Sequence, residues 1–377
     1  MRVSLVSVIV VLGACGAPSG SDAGAAGGSA AGGVAGGSVA GGSAAGGSAA
    51  GGSAAGGSAA GGSAAGGPGL APGSVSVRTL GAFPDRPYEV HVPSSYDGGV
   101  RPVLLMLHGG GGNRENGWEM SCPGADGGSP ECLGNLALAG GFIVVTPDGT
   151  PTGAGPLLSR LRTWNAGGGD GGWQCVSGRA CIDAGVNEAA YFSLLLADLR
   201  SVVSADPQRV FATGLSNGAA LSHRLACQLP AVRAIASVAG GNQFATTEAC
   251  TGQKAILEIH GTADPCWNFD GGPESCADSN PGIKIAVSDT MAGWASRNGC
   301  QQTRVTRQLS DAGALDVTTT LEHVWSGCPA GKEVVLLEIV NGGHTWPRGA
   351  APRMSSSGVV SQGISASRYM LDFFEEH

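Results

Sequence analysis

The chain has few charged residues for its length and no run of basic ones. Its 377 residues include 21 lysines and arginines against 29 aspartates and glutamates, which gives a formal net charge of −8. Proteins that bind the phosphate backbone of nucleic acids usually carry a basic patch or stripe. The composition therefore argues against a nucleic acid as a partner.

Signatures of metal sites and phosphate sites are also missing. None of the 11 cysteines forms a C-x-x-C pair, and no histidine lies at ligand spacing from them, so a zinc site is not indicated. No lysine ends the glycine-rich run at 108–112, and no G-x-G-x-x-G fingerprint is placed to open a helix, which argues against a phosphate-binding loop. We expect neither a metal nor an organic cofactor.

The apolar run near the start of the chain is too short to span a bilayer as a helix. The first two residues, Met-Arg, are followed by a largely apolar stretch at 3–12 and then by Gly-Ala-Cys. This order is typical of a secretory signal, and the Leu-Gly-Ala-Cys ending resembles the bacterial lipobox. We predict a signal peptide at 1–14, lipidation at Cys15, and a secreted or cell-envelope protein held to a membrane by that lipid. An ordinary secreted protein cut nearby is the alternative.

A low-complexity segment follows, dominated by repeats of Gly-Gly-Ser-Ala-Ala from about residue 24 to residue 67. Such a sequence has nothing with which to bury apolar area, so it predicts a flexible coil. We assign 15–74 to a lipid-anchored linker and 75–377 to one catalytic α/β domain, which we expect to be monomeric.

Ten cysteines remain once Cys15 is set aside. An even number of cysteines in a chain expected to be exported is typical of a disulfide framework, although sequence alone cannot fix its connectivity. The simplest pairing joins sequence neighbours: Cys122–Cys132, Cys175–Cys181, Cys227–Cys250, Cys266–Cys276 and Cys300–Cys328.

Short apolar strands and helical stretches alternate along the folded domain. This alternation predicts an α/β fold with a mostly parallel central sheet and helices on both faces. In such sheets, ligands gather beyond the carboxyl ends of the strands. The predicted strands are 88–92, 103–107, 142–145, 210–212, 235–238, 255–259 and 334–340, and the predicted helices are 183–204, 216–229, 288–297 and 365–376.

The stretch G-L-S-N-G at 214–218 is the most informative feature of the domain. It lies between a predicted strand and a predicted helix, which is the setting of the G-x-S-x-G nucleophile elbow of α/β-hydrolases. A serine hydroxyl needs a neighbouring base, and a carboxylate must orient that base. The α/β-hydrolase order of serine, acid and histidine is met by Ser216, Asp264 and His344, the last two lying just after predicted strands.

Other carboxylates could supply the acid. Asp148 precedes the serine in sequence, and its Pro-Asp-Gly setting is better explained by turn chemistry. Asp270 and Asp278 follow Asp264 in a cysteine-bounded loop and are weaker candidates.

Seven histidines compete for the role of base, and only His344 lies late in the chain on a glycine-rich loop after a strand. His108 and His260 precede glycines at strand ends and are expected to fix loop backbone. His323 is expected between strand-like segments. The others are placed in a strand, in the helix after the elbow and at the terminus: His91, His223 and His377.

The tetrahedral intermediate of acyl transfer needs two donors aimed at its oxyanion. We expect one from the backbone N–H of Asn217, the residue after the nucleophile. The second is expected from the glycine-rich loop at 108–112, which follows a buried strand, with Gly110 as the donor.

Four stretches resemble one group of hydrolases. They are L-H-G-G at 107–110, D-P-Q-R-V-F-A-T-G-L-S-N-G at 206–218, H-G-T-A-D-P at 260–265 and G-H-T-W-P at 343–347. With them the chain resembles the α/β-hydrolase group that contains polyhydroxybutyrate depolymerases and feruloyl or acetylxylan esterases (carbohydrate esterase family 1-like). The resemblance implies the same triad and places Trp346 along the acyl or sugar side of the cleft, with packing of a loop as the alternative.

The chain departs from the pattern of this group at two points. Ala219 stands where a third glycine is common, which slightly changes the packing of the elbow. After Asp264, C-W-N at 266–268 replaces the usual apolar-proline pattern, and Cys276 could staple that loop. We therefore expect differences in the substrate cleft.

With the secretory signal, the resemblance predicts a secreted serine esterase, a carboxylic ester hydrolase that works through an acyl-enzyme. Feruloyl or acetyl esters of plant polysaccharide are the first expectation for its substrate, and polyhydroxybutyrate is the alternative, weakened because no separate polymer-binding module is visible. A serine peptidase is disfavoured because no accessory propeller-like domain is present. An inactive, hydrolase-like binding lipoprotein is disfavoured because the serine, acid and histidine are all present.

Overall fold

The computed structural model describes residues 69–156, 158–167, 186–243, 250, 252–273, 283–313, 315–351 and 357–377. Several sequence predictions fall outside this part of the chain: the signal peptide, the lipidation of Cys15, most of the linker and the pair Cys175–Cys181. Cys276 and Asp278, which follow the candidate acid Asp264 in the sequence, also lie outside it.

Strands and helices alternate along the described residues. The strands are β1 (Val75–Leu80), β2 (Phe83–His91), β3 (Arg101–Leu107), β4 (Ile143–Pro147), β5 (Thr150–Pro151), β6 (Arg162–Thr163), β7 (Ala205–Leu215), β8 (Val232–Val238), β9 (Ala255–Gly261), β10 (Gly272–Pro273), β11 (Ile283–Lys284), β12 (Arg304–Ser310), β13 (Thr319–Trp325) and β14 (Val334–Val340). The helices are α1 (Arg114–Glu119), α2 (Leu133–Ala139), α3 (Glu188–Val202), α4 (Asn217–Gln228), α5 (Val287–Asn298) and α6 (Ala366–Glu376).

Ten of these strands form one sheet in the order β1-β2-β4-β3-β7-β8-β9-β14-β13-β12. The six strands from β4 to β14 in this order run parallel to their neighbours. The strands at both edges pair antiparallel. Every residue of β4 and β9 is buried, as expected for parallel strands covered on both faces. The prediction of a mostly parallel sheet is confirmed.

Helices pack on both faces of the sheet, as predicted. On one face, α3, α4 and α5 contribute Phe192, Leu225 and Trp294 to a core under the central strands. On the other face, α2 and α6 contribute Leu133 and Phe374 to a second core. Within the described residues, no helix has both the length and the apolar character required to cross a bilayer.

Three of the four antiparallel strands at the edges of the sheet, β1, β12 and β13, were not predicted, whereas part of β2 was predicted at 88–92. Most side chains of β12 are exposed on both faces, so this strand lacks the apolar pattern from which strands are predicted. The position expected for His323 was wrong: the residue lies inside β13, paired in register with β12 and β14.

Three disulfides lie in the described part of the chain. They join Cys122 to Cys132, Cys227 to Cys250 and Cys300 to Cys328, which confirms these three pairs of the simplest pairing. Cys266 is also disulfide-bonded.

The junction of β7 and α4 sets the position of the candidate nucleophile. β7 ends at Leu215 and α4 begins at Asn217, so Ser216 occupies a sharp turn at the carboxyl end of a central parallel strand. This is the nucleophile-elbow position of the α/β-hydrolase fold, and the chain has that fold.

Candidate active site

Ser216 has a strained backbone. Its φ is 59° and its ψ is −120°, a region that residues with a side chain rarely adopt. Neighbouring backbone holds it there: its N–H donates to the Val238 carbonyl at 2.9 Å, and its own carbonyl accepts from Ala220 N–H at 3.0 Å. The strain presents the serine side chain at the end of the sheet, as an elbow requires.

Steric crowding requires glycine at both Gly214 and Gly218 of the elbow. Neither has a positive φ. A Cβ on Gly214 would lie 2.5 Å from the Gly218 carbonyl carbon, and a Cβ on Gly218 would meet the Leu107 carbonyl oxygen. A third glycine, Gly240, faces the same turn from the end of β8, where a Cβ would lie 2.8 Å from Ala219 Cβ. Gly240 therefore leaves room for the Ala219 side chain, which stands where the related hydrolases commonly have a third elbow glycine.

The glycine-rich loop after β3 packs directly on the elbow. A Cβ on Gly109 would lie 3.6 Å from Ser216 Cβ, and a Cβ on Gly110 would lie 3.6 Å from Asn217 Cβ. Within the described residues, the Gly110 amide donates to no backbone carbonyl. The two predicted oxyanion donors, Gly110 and Asn217, are thus brought side by side next to the serine.

A segment that the sequence analysis did not single out fixes this loop and the elbow together. The Gly111 N–H in the loop donates to the Arg162 carbonyl at 2.7 Å. Trp164 donates its indole N–H to the His108 carbonyl at 2.8 Å. Its backbone N–H donates to Asn217 Oδ1 at 2.8 Å. Trp164 lies in an irregular segment with no periodic pattern around it, so nothing in the sequence marks its role.

His108 stabilises the same loop from beneath. Its Nδ1 lies 2.7 Å from the Gly109 carbonyl, and its Nε2 accepts from Gly149 N–H at 3.0 Å. Burial lowers the pKa of His108 to about 4, because a charged ring would be desolvated there. A neutral ring with its hydrogen on Nδ1 satisfies both contacts, so His108 fixes loop backbone.

The candidate acid and base form a direct pair. Asp264 follows β9, His344 follows β14, and the Asp264 Oδ2 to His344 Nδ1 distance is 2.8 Å. Asp264 Oδ1 accepts the backbone N–H groups of Cys266 and Trp267, both at 2.8 Å. Burial would raise the pKa of Asp264, but the interactions with His344 and His260 outweigh it and hold that pKa well below its usual range. The carboxylate is therefore ionised and held in one orientation toward His344.

Close backbone packing joins the two turns that carry this pair. The Ala263 N–H donates to the Gly342 carbonyl at 2.9 Å, and the His344 N–H donates to the Ser357 carbonyl at 2.6 Å. A Cβ on Gly343 would lie 2.7 Å from Gly358 Cα. The glycine-rich loop predicted to carry the base is needed because two backbone segments meet there without room for side chains.

The serine and the histidine are not hydrogen-bonded to one another. Among the described residues, Ser216 Oγ has no hydrogen bond to His344, although both follow parallel strands of one sheet and lie at its carboxyl edge. Catalytic hydrogen bonds are often long before substrate is bound. The geometry thus brings the acid and base together, and it places the serine at the same edge of the sheet.

Asp148, the rival acid, is occupied by arginine. Its Oδ1 accepts the Arg114 backbone N–H at 2.7 Å, and its Oδ2 accepts from the Arg114 guanidinium at 3.0 Å. Asp270 is exposed, and its backbone N–H donates to Asn268 Oδ1 at 3.2 Å. Neither of these carboxylates contacts a histidine among the described residues.

The other histidines are engaged away from the serine. His91 stacks on Trp118 with 4.4 Å between ring centroids. His323 Nε2 lies 2.9 Å from Glu338 Oε2, and His377 Nε2 lies 2.6 Å from Glu333 Oε2. His260 alone among them contacts Asp264, at 3.3 Å from Oδ2.

Asp264, Cys266 and His344 bring three potential metal-ligand atoms within 4.8 Å of one another. The donor set does not fit a metal, because the Cys266 sulfur is in a disulfide and metal-binding cysteines are thiolates. The His344 Nδ1 is also occupied by Asp264.

Trp346 does not line a cleft, which corrects the expectation of a substrate contact. Its side chain is 1% exposed, and its indole N–H donates to Ser367 Oγ on α6 at 3.2 Å. It packs in the core beneath α6 with Met370 and Phe374. These contacts agree with the alternative role, the packing of a loop.

Comparisons with known proteins find relatives named as esterases. No protein-family model matches the chain. NocK of Nocardia uniformis subsp. tsuyamanensis, an esterase candidate, is 29% identical over 303 residues, covering 76% of this chain and 78% of NocK. Feruloyl esterase B of Piromyces equi is 26% identical over 263 residues, which are 68% of this chain and 42% of that protein. The chain thus spans less than half the length of this second relative.

Among solved structures, the chain is similar to an acetyl xylan esterase from Aspergillus awamori. The match covers 81% of this chain and 100% of that chain, at 15% sequence identity and a TM-score of 0.49.

Proposed function

We propose that this protein is a serine carboxylic-ester hydrolase with Ser216, Asp264 and His344 as its catalytic triad. The observation that carries the proposal is the 2.8 Å contact between Asp264 Oδ2 and His344 Nδ1, formed at the sheet edge where Ser216 occupies a strained elbow. A carboxylate, an imidazole and an elbow serine in this arrangement are the parts that acyl transfer needs. Relatives named as esterases support the same reaction class.

The reaction proceeds in two acyl-transfer steps. Ser216 Oγ attacks the ester carbonyl while His344 Nε2 takes the hydroxyl proton, and Asp264 stabilises the imidazolium through Nδ1–H. The amides of Gly110 and Asn217 donate to the oxyanion. Collapse of the tetrahedral intermediate passes the proton to the leaving alcohol and leaves an acyl-serine. Water then attacks the acyl carbon with His344 as base, releasing the acid and restoring the serine.

The substrate class we propose is the feruloyl or acetyl esters of plant polysaccharide. Support comes from the feruloyl esterase among the relatives and from the motifs at 260–265 and 343–347. Turnover of methyl ferulate, acetylated xylan and hydroxybutyrate oligomers by purified protein tests it. Preference for the hydroxybutyrate oligomers would replace this substrate class with polyhydroxybutyrate.

We further propose that the protein is exported and lipid-anchored at Cys15. The three disulfides support an oxidising compartment, since such bonds persist outside the cytosol. Incorporation of a radiolabelled fatty acid into the wild type and its loss in Cys15→Ala is the expected result. Equal label in both proteins would exclude this anchor.

The triad is tested by replacing the nucleophile. Ser216→Ala is expected to abolish hydrolysis of p-nitrophenyl acetate and labelling by a fluorophosphonate probe, because both require the Ser216 oxygen. Ser193→Ala is the matched control, since Ser193 is an exposed helix residue whose hydroxyl donates to the Ala189 carbonyl. Retained turnover in folded Ser216→Ala, or loss of turnover in the control, would contradict the assignment.

A further inference from the structure

A second histidine contacts the Asp264 carboxylate oxygen that faces His344. His260, the penultimate residue of β9, is completely buried. Its Nδ1 lies 2.8 Å from Glu258 Oε1. Its Nε2 lies 2.8 Å from the Trp267 carbonyl oxygen and 3.3 Å from Asp264 Oδ2. Asp264 Oδ2 is therefore approached by His260 as well as by His344.

The partners of His260 fix its protonation. A carbonyl oxygen and an ionised carboxylate can only accept hydrogen bonds. Because each ring nitrogen faces such an acceptor, both nitrogens must carry hydrogen, and the ring is an imidazolium. Burial would lower the pKa of His260, but the hydrogen bonds and charges of Asp264 and Glu258 raise it to about 10.

Glu258 is held ionised by groups on the neighbouring elements. Its Oε2 lies 3.2 Å from His223 Nε2 on α4 and accepts from the Ser237 hydroxyl on β8. His223 Nδ1 accepts the Trp294 indole N–H at 2.9 Å, so the ring hydrogen of His223 is on Nε2 and points to Glu258. Burial would raise the pKa of Glu258, but the hydrogen bonds from His223 and His260 lower it.

These contacts form one buried chain from α5 to the catalytic acid, which we call the acid-support network: Trp294, His223, Ser237, Glu258, His260 and Asp264. Burial of an ionised carboxylate is costly unless the charge is paired and hydrogen-bonded. The His260 cation offsets that cost, and its N–H and ring position limit the rotation of the carboxylate.

We propose that His260 is a positioning residue for the reaction: as an imidazolium clamped between Glu258 and Asp264, it holds the Asp264 carboxylate ionised and aimed at His344. The inference rests on the proposed function, because it assigns His260 an effect through Asp264 on the triad. In the described part of the chain, no hydrogen bond or ion pair joins His260 to the serine or to the oxyanion donors, so we expect its effect to fall on kcat and to leave KM unchanged.

A double-mutant cycle with Asp264 tests this inference. His260→Gln is expected to lower kcat for p-nitrophenyl acetate by about 10- to 100-fold, the range for losing a hydrogen bond to a charged group. In the Asp264→Asn background, where no carboxylate is left to position, the same change is expected to alter kcat by less than about threefold. Glu258→Gln provides a second variant that acts through His260 and is expected to give the same non-additive pattern.

His323→Gln is the matched control. His323 is also a buried histidine on this sheet that is paired with a glutamate, Glu338, at 2.9 Å, but it has no contact with Asp264. It is expected to leave kcat within about twofold, and urea unfolding of every variant separates stability from turnover. A merely structural role for His260 would lower kcat by the same factor with and without the Asp264 carboxylate, and that result would overturn the inference.

The outcomes also separate this inference from the proposed function. If His260→Gln and Glu258→Gln each lower kcat by the same factor in the wild type and in the Asp264→Asn background, the positioning role is refuted. The triad still stands if Asp264→Asn and Ser216→Ala are both strongly impaired. Full activity of Asp264→Asn would refute the triad itself, and the inference would fall with it.

Discussion

Gly240 offers a sharp test of how the elbow is built. The residue has no positive φ, so an alanine is permitted there by the backbone, and its effect is steric. The added Cβ would lie 2.8 Å from Ala219 Cβ and 3.1 Å from the Ser216 carbonyl carbon, and closer still to the Ser216 carbonyl oxygen. Real Cβ atoms essentially never approach other atoms within 3.0 Å, so the elbow must move by several tenths of an ångström.

The expected cost of Gly240→Ala follows from that displacement. Overpacking of a tight core site destabilises by about 1–3 kcal/mol, which lowers the Tm by about 2–10 °C in a domain of this size class. A 1 Å misplacement near the reacting atoms costs about 100-fold in rate, so a smaller shift of Ser216 is expected to lower kcat by about 10-fold or more. Thermal unfolding and p-nitrophenyl acetate kinetics measure the two effects on the same samples.

A glycine on the surface supplies the matched control for this substitution. Gly293 lies within α5, is exposed, and has nothing within 4 Å of the site of a Cβ. Gly293→Ala is expected to stabilise the protein by about 0.5–1 kcal/mol, since alanine is the better helix former. Ala219→Gly combined with Gly240→Ala removes the contact with Ala219 Cβ and leaves the contacts with the Ser216 carbonyl group, so it is expected to restore part of the stability. A Gly240→Ala protein with wild-type Tm and kcat would refute the steric account of the elbow.

Three further outcomes are expected. Trp346→Phe should lower the free energy of unfolding by about 1 kcal/mol, through loss of its indole hydrogen bond, and leave KM for p-nitrophenyl acetate unchanged; a raised KM would return Trp346 to the substrate cleft. Asp264→Asn should lower kcat by about 10³–10⁴-fold, whereas Asp148→Asn should stay within about tenfold of wild type, and the reverse ranking would exchange their roles. The pKa of His260 is raised to about 10, so its stabilising contribution is present below about pH 6.5 and is lost as the pH rises toward 10. The free energy of unfolding measured in urea should therefore fall more steeply over this interval in the wild type than in His260→Gln.

The central sheet was predictable because parallel strands buried on both faces are continuous apolar runs. The run of β14 was predicted at its observed bounds, Val334–Val340. β12 carries exposed polar side chains at most positions, and its place in the sheet is set by pairing with β13. Pairing between distant segments leaves no local pattern in a polar edge strand, so this strand could not be found from the sequence.

The candidate site was predictable where its chemistry depends on local sequence. The elbow at 214–218 and the acid and base turns each have a local signature, and the structure brings Asp264 and His344 into contact. The support for these residues comes from segments distant in sequence. Trp164 reaches the elbow across 53 residues, and His223 reaches Glu258 across 35 residues. Such side chains are chosen by three-dimensional proximity, which composition and spacing do not encode.

The turn that carries the acid has a covalent tether. Cys266 donates its amide to Asp264, and its sulfur is in a disulfide. Reducing cytoplasm does not preserve such bonds, so the redox state of the compartment in which the polypeptide matures bears directly on the turn that presents its acid. A chain retained in the cytoplasm would hold that carboxylate on an untethered turn, and recombinant material is therefore best judged by activity per folded molecule rather than by yield.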